Sequence, residues 1–326
     1  MDRKEIISFL GEEWDRTIGL IRSSVRSDIG LLDSTNAEIL EHSGKLLRPM
    51  LSLLTAKAFC EGRLPEDSIR FAAASELLHN ATLLHDDVAD ASSTRRGYPT
   101  VGSLLGSTAS VLVGDFWLVK AMDNILSADR NFAEVTGIFS KTLTDLAEGE
   151  MLQLEKSFGG DSSEADYLKI IFNKTASVFE AACLSAAISV GASDKMREAV
   201  REYAVNLGLA FQIKDDILDY EGGDIGKPAG MDLKERKITL PLLGALGKVS
   251  EEREKLVRKM VCEIPSHPEY CDEILDFVNE NGGLEYARAE LVEYASKAVE
   301  AIGKLPASKA ADCLRSVADF FVIREK

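Results

Sequence analysis

The chain has 326 residues and carries 54 acidic against 38 basic side chains, which gives a formal net charge of −16. This balance argues against nucleic acid and anionic membrane surfaces as main partners, because both are held by surplus Lys and Arg. With 45% hydrophobic and 28% charged residues, the chain is predicted to bury a large core, and the composition excludes a disordered protein.

No stretch of the sequence divides the chain into separate domains. Only eight prolines are present, and no Pro-, Gly- or Ser-rich linker separates two halves, so we expect one domain over residues 1–326. The amino-terminal segment lacks the apolar core of a signal peptide, and no apolar run reaches the length of a membrane span. Five scattered cysteines without a CxxC pair are typical of a reducing compartment. We therefore expect a cytoplasmic protein.

Apolar residues recur at spacings of three and four along almost the whole chain, and strict alternation is rare. This period is that of amphipathic helices. Alanine-rich stretches at 71–74 and 181–187 favour helices that pack closely in a bundle. Breaker residues lie between the periodic segments, at 63–65, 97–99, 159–160, 222–223 and 266–268. The sequence therefore predicts an all-α protein of roughly ten or more helices.

The first element with chemical content is the segment Gly44-Lys45-Leu46-Leu47-Arg48-Pro49. If this segment is helical, Lys45 and Arg48 lie on one face, three residues apart. Taken alone, such a pair is most often an ordinary surface charge, since Lys and Arg are mostly exposed. In a chain this acidic, however, two cations shortly before an aspartate-rich helix are suited to a phosphate group.

That aspartate-rich helix contains DDxxD at Asp86, Asp87 and Asp90. On a helix, Asp86 and Asp90 lie within about 40° of each other, and His79 falls within about 20° of Asp86. His85 points elsewhere and is expected to be structural. Because carboxylates four residues apart repel each other, this arrangement calls for a neutralising cation.

A second DDxxD occurs later in the chain, at Asp215, Asp216 and Asp219. A solvated acidic face explains one such motif, but two copies on helices with apolar faces indicate a metal site. Magnesium fits best, because it prefers oxygen ligands and shares one or two carboxylates with substrate phosphates. The chain has neither a twelve-residue EF-hand loop nor the paired Glu-x-x-His of di-iron bundles.

Further cations occur in small sets around the two motifs. The sets are Arg95-Arg96-Gly97, Lys174-Thr175, Gly226-Lys227-Pro228 and the segment Lys237-Ile238-Thr239-Leu240-Pro241. Each set alone is weak evidence of a site. Together, their spacing around the aspartates predicts a phosphate-bearing ligand.

In this order, the motifs resemble those of the trans-isoprenyl diphosphate synthases, also called polyprenyl synthetases. The match comprises GKxxRP, His79, DDxxD with RRG, Gly114-Asp115, Lys174-Thr175, FQxxDDxLD, and GKPxGxDL leading to KxTLP. Class I terpene cyclases share a DDxxD, but the second copy and the RRG are not their pattern. The resemblance implies a multi-helix bundle around a central cavity and a homodimer.

The resemblance also implies a role for each matched residue. The diphosphate of isopentenyl diphosphate would be bound by Lys45, Arg48, His79 and Arg96. Mg²⁺ ions bridged to the allylic diphosphate would be held by Asp86, Asp87, Asp90, Asp215, Asp216 and Asp219. The same allylic substrate would be contacted by Arg95, Lys174, Thr175, Gln212, Lys227 and Lys237. Of these residues, the catalytic ones would be Asp86, Asp87, Asp90, Asp215, Asp216, Lys174 and Lys237.

The implied reaction ionises the allylic carbon–oxygen bond, joins the allylic cation to isopentenyl diphosphate and loses a proton. In the family, aromatic side chains four and five positions before the first DDxxD limit chain length, and here Thr82 and Ala81 are small. We therefore expect a trans-polyprenyl product of more than twenty carbons. Two alternatives stay open: a short-chain synthase making geranylgeranyl or farnesyl diphosphate, and a noncatalytic regulatory subunit of a heterodimeric synthase.

Overall fold

The computed structural model describes residues 2–222 and 229–323, and most of these residues are helical. The all-α prediction is confirmed. The α-helices are α1 (Arg3–Leu10), α2 (Glu12–Ser24), α3 (Gly30–Glu41), α4 (Leu47–Phe59), α5 (Glu66–Ala89), α6 (Val101–Leu105), α7 (Ser107–Leu126), α8 (Phe132–Gly159), α9 (Glu164–Ile171), α10 (Ser177–Ser189), α11 (Asp194–Glu221), α12 (Met231–Lys234), α13 (Leu240–Leu246), α14 (Glu251–Glu263), α15 (Tyr270–Glu280), α16 (Gly283–Ile302) and α17 (Lys309–Ile323). A π-helical segment covers Phe172–Ala176, and two short strands, β1 (Thr94–Arg95) and β2 (Tyr98–Pro99), form an antiparallel hairpin.

The predicted breakers coincide with helix ends. Pro65 is the residue before α5, where its fixed φ suits the start of a helix. Gly160 follows α8 and Gly222 follows α11, both with φ of +66°, a left-handed conformation that glycine adopts without a steric cost. Residues 97–99 lie between helices, as predicted, but they also form part of a β-hairpin that the sequence pattern did not predict.

The described residues form two compact units. The first unit comprises residues 2–140, 180–201 and 303–316. Its centre is α5, which packs along α7 and also contacts α2 and α4. Phe71 of α5 and Trp117 of α7 are fully buried there, and the Trp117 indole N–H donates to Asn36 Oδ1 at 2.8 Å.

The second unit comprises residues 141–179, 202–222, 229–302 and 317–323. Its apolar core includes Ile213 and Ile217 of α11 together with Leu242 of α13. α13 lies closely against α16, because a Cβ added at Gly244 would lie 2.5 Å from Tyr286 Cδ1. This core fixes the carboxyl-terminal half of α11, which carries the second aspartate motif.

The structure also shows the state of the cysteines and the character of the helices. All five cysteines are free thiols: Cys60, Cys183, Cys262, Cys271 and Cys313. Within residues 2–222 and 229–323, none of the helices combines the length and the apolar character that a bilayer crossing requires.

Candidate active site

The first DDxxD lies at the carboxyl end of α5. The helix ends at Ala89, Asp90 is its cap, and the backbone becomes left-handed at Ala91, with φ of +49°. The Asp90 N–H donates to the Asp86 carbonyl oxygen at 2.8 Å, which confirms that these residues stand one helical turn apart. Because a helix carries partial negative charge at its carboxyl end, carboxylates there require cations nearby.

The RRG segment supplies cations from the tight hairpin. Arg95 pairs with Tyr98 across the two strands, so Arg96 and Gly97 form the two-residue turn. Both turn residues have positive φ, +53° and +83°, as a type I′ hairpin turn requires. Arg95 Nε donates to Asp87 Oδ1 at 2.7 Å. Burial raises the pKa of Asp87, and the neighbouring Arg95 opposes that rise.

Arg96 lies against the loop that precedes α4. Its Nη1 donates to the His42 carbonyl oxygen at 3.2 Å. A Cβ added at Gly44 would lie 2.6 Å from Arg96 Cζ, so a side chain at this position would displace the guanidinium group. Burial, followed by the charges of Arg48 and Arg96, holds the pKa of His79 well below its usual range. The imidazole is therefore neutral at neutral pH, and three of the four residues predicted to bind isopentenyl diphosphate belong to one electrostatic cluster.

Lys45, the fourth, is placed differently from the sequence expectation. Lys45 and Arg48 would share a helical face only if their segment were helical, but α4 begins only at Leu47, after Leu46 in the left-handed conformation with φ of +52°. Lys45 is exposed in the preceding loop, and its carbonyl oxygen accepts from Arg3 Nε at 3.2 Å. The condition for a shared face is therefore not met, and the role of Lys45 stays a prediction.

A buried carboxylate that the sequence reasoning missed lies within this cluster. Glu76 is 4% exposed, and its Oε1 accepts from Asn80 Nδ2 at 3.1 Å. Burial raises the pKa of Glu76, while the charges of Arg48 and Arg96 act against that rise. The carboxyl group lies one turn before His79 on α5, so it provides a counter-charge beside the two arginines.

His85 contacts α7, and its structural role stays a prediction. Its Nε2 lies 3.2 Å from Asp115 Oδ1, and a Cβ added at Gly114 would lie 2.4 Å from the same nitrogen. The Gly114-Asp115 pair thus lets α7 approach α5 closely and gives His85 a partner.

The second DDxxD is organised around the buried Asp216 on α11. Its carboxylate accepts from the Tyr167 hydroxyl at 2.6 Å and from Gln212 Nε2 at 2.9 Å. Gln212 Oε1 in turn accepts from the Thr175 hydroxyl at 2.8 Å. Burial raises the pKa of Asp216 to about 6, while these hydrogen bonds oppose the rise. Gln212 and Thr175 therefore orient a carboxylate in addition to the substrate contact predicted for them.

Asp219 is fixed by the short helix α12. Its two carboxylate oxygens accept from the backbone N–H groups of Met231 and Asp232, each at 3.1 Å. Burial, followed by the charges of Asp216 and Asp219, raises the pKa of Asp232 well above its usual range. Asp232 thus adds a carboxyl group to this site. Asp232 is the aspartate of the GKPxGxDL motif, so this motif in the sequence could have pointed to it.

Lys174 lies in the π-helical segment, a form of backbone that often marks functional sites. Its ammonium group pairs with Glu150 and donates to Gln153 Oε1 at 3.2 Å. Glycines of the two neighbouring helices pack against this segment: a Cβ added at Gly149 would lie 2.7 Å from Asn173 Cβ, and one at Gly208 would lie 2.5 Å from Ala176 Cα. The sequence reasoning missed Glu150 and Gln153, since they precede Lys174 by more than twenty residues.

The remaining predicted residues can be placed only in part. Lys237 pairs with Glu235. Burial raises the pKa of both Asp216 and Asp219, and the charge of Lys237 opposes that rise. Asp215 is exposed on α11, one residue from Asp216. Lys227 lies outside the described residues.

The donor chemistry of both motifs fits magnesium. In the described part of the chain, no three acidic, His or Cys side chains already converge to hold a metal by themselves. Magnesium is usually bound by one or two protein carboxylates together with substrate phosphates and water, and the carboxylate oxygens of the two motifs are donors of that kind. Carboxyl groups whose pKa is raised by burial, such as Asp216 and Asp219, are also those that gain most from a cation.

Comparison with known proteins decides the family. The sequence pattern of the Polyprenyl synthetase family matches residues 30–278, well over half of the chain. The chain belongs to this family. It is a prenyltransferase of isoprenoid biosynthesis.

Relatives of this family cover nearly the whole chain. The octaprenyl diphosphate synthase of Haemophilus influenzae is 38% identical over 306 residues, which are 93% of this chain and 92% of that protein. A decaprenyl diphosphate synthase structure from Rhodobacter capsulatus has a TM-score of 0.91 at 33% identity, over 100% of both chains. A polyprenyl synthase from Caulobacter crescentus CB15, complexed with calcium and isoprenyl diphosphate, has a TM-score of 0.89 at 33% identity, over 100% of this chain and 98% of that one.

Gly208→Ala tests whether the close approach at the π-helical segment positions Lys174 and Thr175. The added methyl would overlap the Ala176 backbone, so we expect a loss of about 1–3 kcal/mol in the free energy of unfolding and a lower kcat. Gly137→Ala in α8 is the matched control, because nothing lies within 4 Å of its added Cβ. Urea unfolding and steady-state rates check both variants; equal behaviour of the two would contradict the close approach.

Asp232→Asn tests the crowding of carboxyl groups around Asp219. Because the pKa of Asp232 is raised in the folded chain, ionisation of this group weakens the metal-free fold above that pKa and has no such effect below the unfolded value. We expect the variant to raise the free energy of unfolding in EDTA by about 1 kcal/mol at neutral pH, with the gain vanishing near pH 3.

Asp276→Asn, an exposed change on α15, is the control for this experiment. It should stay within about 0.5 kcal/mol of the unchanged protein at both pH values. A gain for Asp232→Asn that is the same at low and neutral pH would show that charge crowding is not its cause.

Proposed function

We propose that the chain condenses isopentenyl diphosphate with an allylic diphosphate and repeats the step to give a trans-polyprenyl diphosphate of more than twenty carbons. The observation that carries this proposal is that each DDxxD stands intact on its helix with its own cations beside it, Arg95 for the first and Lys237 for the second. Relatives named as octaprenyl and decaprenyl diphosphate synthases support the long product. The small residues Ala81 and Thr82 agree with it.

The diphosphate of isopentenyl diphosphate is assigned to the cluster in the first unit. Arg48 and Arg96 provide guanidinium groups, which match phosphate oxygens in pairs. The neutral His79 donates one N–H, and the exposed Lys45 adds an ammonium group from the loop before α4. Glu76 keeps the two arginines from repelling each other before the substrate binds.

The aspartates are assigned to magnesium and the allylic diphosphate. The ligands would come from Asp86, Asp87 and Asp90 of the first motif and from Asp215, Asp216 and Asp219 of the second. Magnesium, when bound there, neutralises the charge that develops on the leaving diphosphate. The relative complexed with calcium and isoprenyl diphosphate supports a divalent cation.

The lysines act on the same leaving group. Lys174 and Lys237 are each held by a carboxylate, Glu150 and Glu235, so their ammonium groups are oriented before the substrate arrives. As the allylic carbon–oxygen bond breaks, their N–H groups would donate to the diphosphate oxygens that gain charge. Arg95, Thr175, Gln212 and Lys227 complete the assigned contacts of the allylic substrate.

We extend the proposal to the assembly and location of the protein. Residues 1–326 would work as one isoprenyl diphosphate synthase domain, in the cytoplasm and as a homodimer. An apolar stripe on α7 supports a dimer, since Leu112, Val119 and Leu126 recur every seven residues and are 63%, 56% and 56% exposed. Sedimentation should give twice the chain mass of 35.6 kDa, and Leu112→Glu should shift it to one chain.

Turnover by the purified chain alone tests the proposed reaction. With isopentenyl diphosphate, farnesyl diphosphate and Mg²⁺, we expect a longer prenyl diphosphate; EDTA should abolish its formation, and added Mg²⁺ should restore it. The alternative from another class, a noncatalytic regulatory subunit, is disfavoured because such subunits lose aspartates and all six stand here. Activity that appears only with a second polypeptide would support that alternative.

A further inference from the structure

A stack of two aromatic rings joins the hairpin to the end of α3. The ring centroids of His42 and Tyr98 lie 3.6 Å apart, and the ring planes are inclined by 20°. His42 is the carboxyl-terminal cap of α3, and Tyr98 begins β2. We call this contact the His42–Tyr98 stack. Because stacked rings attract each other beyond the area that they bury, the contact ties together two segments that are far apart in the chain.

The His42–Tyr98 stack lies directly beside Arg96. Tyr98 pairs with Arg95 across the hairpin, so it immediately follows the two-residue turn. The Nη1 group of Arg96, in that turn, donates to the carbonyl oxygen of His42 at 3.2 Å. His42 therefore contacts the hairpin twice, through its ring on Tyr98 and through its carbonyl group on Arg96.

The hairpin is too short to fix the position of its own turn. Each strand has two residues, and an isolated two-stranded hairpin is only marginally stable in water. Arg96 has φ of +53°, a conformation that residues with a Cβ disfavour. Thr100 secures the base of the hairpin, because its hydroxyl donates to the Ser92 carbonyl oxygen at 2.8 Å and its N–H to that of Ser93 at 3.0 Å. At the turn, contacts of this kind come instead from His42.

The two stacked side chains lie at the surface. Tyr98 is 49% exposed, and His42 is half-buried at the end of its helix. Substitutions at such positions usually change the free energy of unfolding little. The stack therefore contributes to the local order of the turn, and it can be removed without unfolding the protein.

We propose that His42 and Tyr98 are positioning residues that hold the guanidinium group of Arg96 in place for the diphosphate of isopentenyl diphosphate. Without the stack, the turn would be ordered only when the diphosphate binds, and the cost of that ordering weakens binding. Arg95 is held separately by Asp87, so binding of the allylic diphosphate should be affected less. The role in catalysis rests on the proposed function, whereas the tether of the hairpin does not.

Steady-state kinetics of Tyr98→Leu and His42→Leu test the positioning role. We expect each variant to raise the KM for isopentenyl diphosphate by about two- to tenfold, which is the contribution of an aromatic pair expressed as an equilibrium ratio. The kcat and the KM for the allylic diphosphate should stay within about twofold, the pattern of lost binding rather than lost chemistry. Tyr98→Phe keeps the ring and should restore the KM of the unchanged chain.

His267→Leu is the matched control, because His267 also stacks on a tyrosine. Its partner is Tyr270, with ring centroids 5.1 Å apart, in the second unit. This variant should leave the kcat and both KM values unchanged. The double variant Tyr98→Leu/His42→Leu should match the single variants, since all three lack the same stack. Additive effects of the two changes, equal rises of both KM values, or a loss of kcat alone would overturn the positioning role.

Limited trypsin digestion of the substrate-free protein tests the tether without using the reaction. Trypsin cleaves after arginine, and His42→Leu leaves the sequence around the Arg96–Gly97 bond unchanged. We expect this variant to release fragment 1–96 about two- to tenfold faster than the unchanged chain and His267→Leu do. Equal rates would overturn the tether and the positioning role with it. Faster cleavage in a chain that elongates no prenyl diphosphate would support the tether and contradict only the proposed function.

Discussion

Replacing Asp86 with asparagine is expected to lower kcat/KM by about 10²- to 10³-fold, the loss found when one preorganised charge stabiliser is removed. The residue lies on the stripe of α5 that is assigned to substrate and metal, one turn before Asp90 and two turns after His79. Asparagine keeps the shape of the side chain and removes its charge, so the affinity for Mg²⁺ should fall. The Mg²⁺ concentration for half-maximal rate, measured with kcat/KM, checks both effects.

Asp115→Asn is the matched control for Asp86→Asn. It makes the same chemical change on α7, where the carboxylate faces His85 and is 60% exposed. Its kcat/KM should stay within about twofold of the unchanged enzyme, as for most surface substitutions. If both variants retained full activity at low Mg²⁺, the assignment of the first motif to magnesium would be contradicted.

Ala81→Phe is expected to shorten the product by at least one five-carbon unit. Ala81 is 1% exposed on α5, five residues before Asp86, and a phenyl ring would occupy space that a growing chain requires. Extra volume in a packed site lowers the free energy of unfolding by about 1–3 kcal/mol. Thr82→Phe, at the half-buried neighbouring position, therefore provides a second variant. Mass analysis of the extracted products gives the length for each.

Ala72→Phe separates this effect from overpacking. Ala72 is also fully buried, but nine residues before Ala81 it lies on the opposite face of α5. We expect Ala72→Phe to lower stability and leave product length unchanged. Unchanged length in Ala81→Phe and Thr82→Phe as well would show that other residues limit the chain.

The helical class and the aspartate motifs could be predicted because their signals are local. The spacing of apolar residues identifies α5 and α11 as helices. On any helix, a DDxxD places its first and third carboxylates one turn apart. Gly44 and the RRG segment were likewise visible as motifs. In the Arg96-Gly97 turn, only Gly97 is of the residue type that a positive φ favours.

Long-range pairings could not be predicted, because no local pattern encodes them. Glu150 is 24 residues from Lys174 and beyond a glycine break, yet it holds that ammonium group. Leu46 adopts a left-handed conformation that sequence disfavours for leucine, which moves Lys45 out of α4. The hairpin has strands of only two residues, too short for an alternation pattern. In each case packing outweighs local preference.

The net charge of −16 reflects the protein surface as a whole and is a poor guide to the charge of the proposed substrate sites. It argues against polyanionic partners, yet the proposed substrates are diphosphates. Arg48, Arg95 and Arg96 in the first unit, and Lys174 and Lys237 in the second, place cations among the carboxylates. With magnesium bound, the local charge at these sites would no longer be negative.

The measurement that tests the central claim most directly is the chain length of the product. The purified chain alone, with labelled isopentenyl diphosphate, farnesyl diphosphate and Mg²⁺, should release a trans-polyprenyl diphosphate of more than twenty carbons, identified by mass after extraction. If turnover stopped at a product of twenty carbons or fewer, or if no elongation occurred without a second polypeptide, the proposed function would be contradicted.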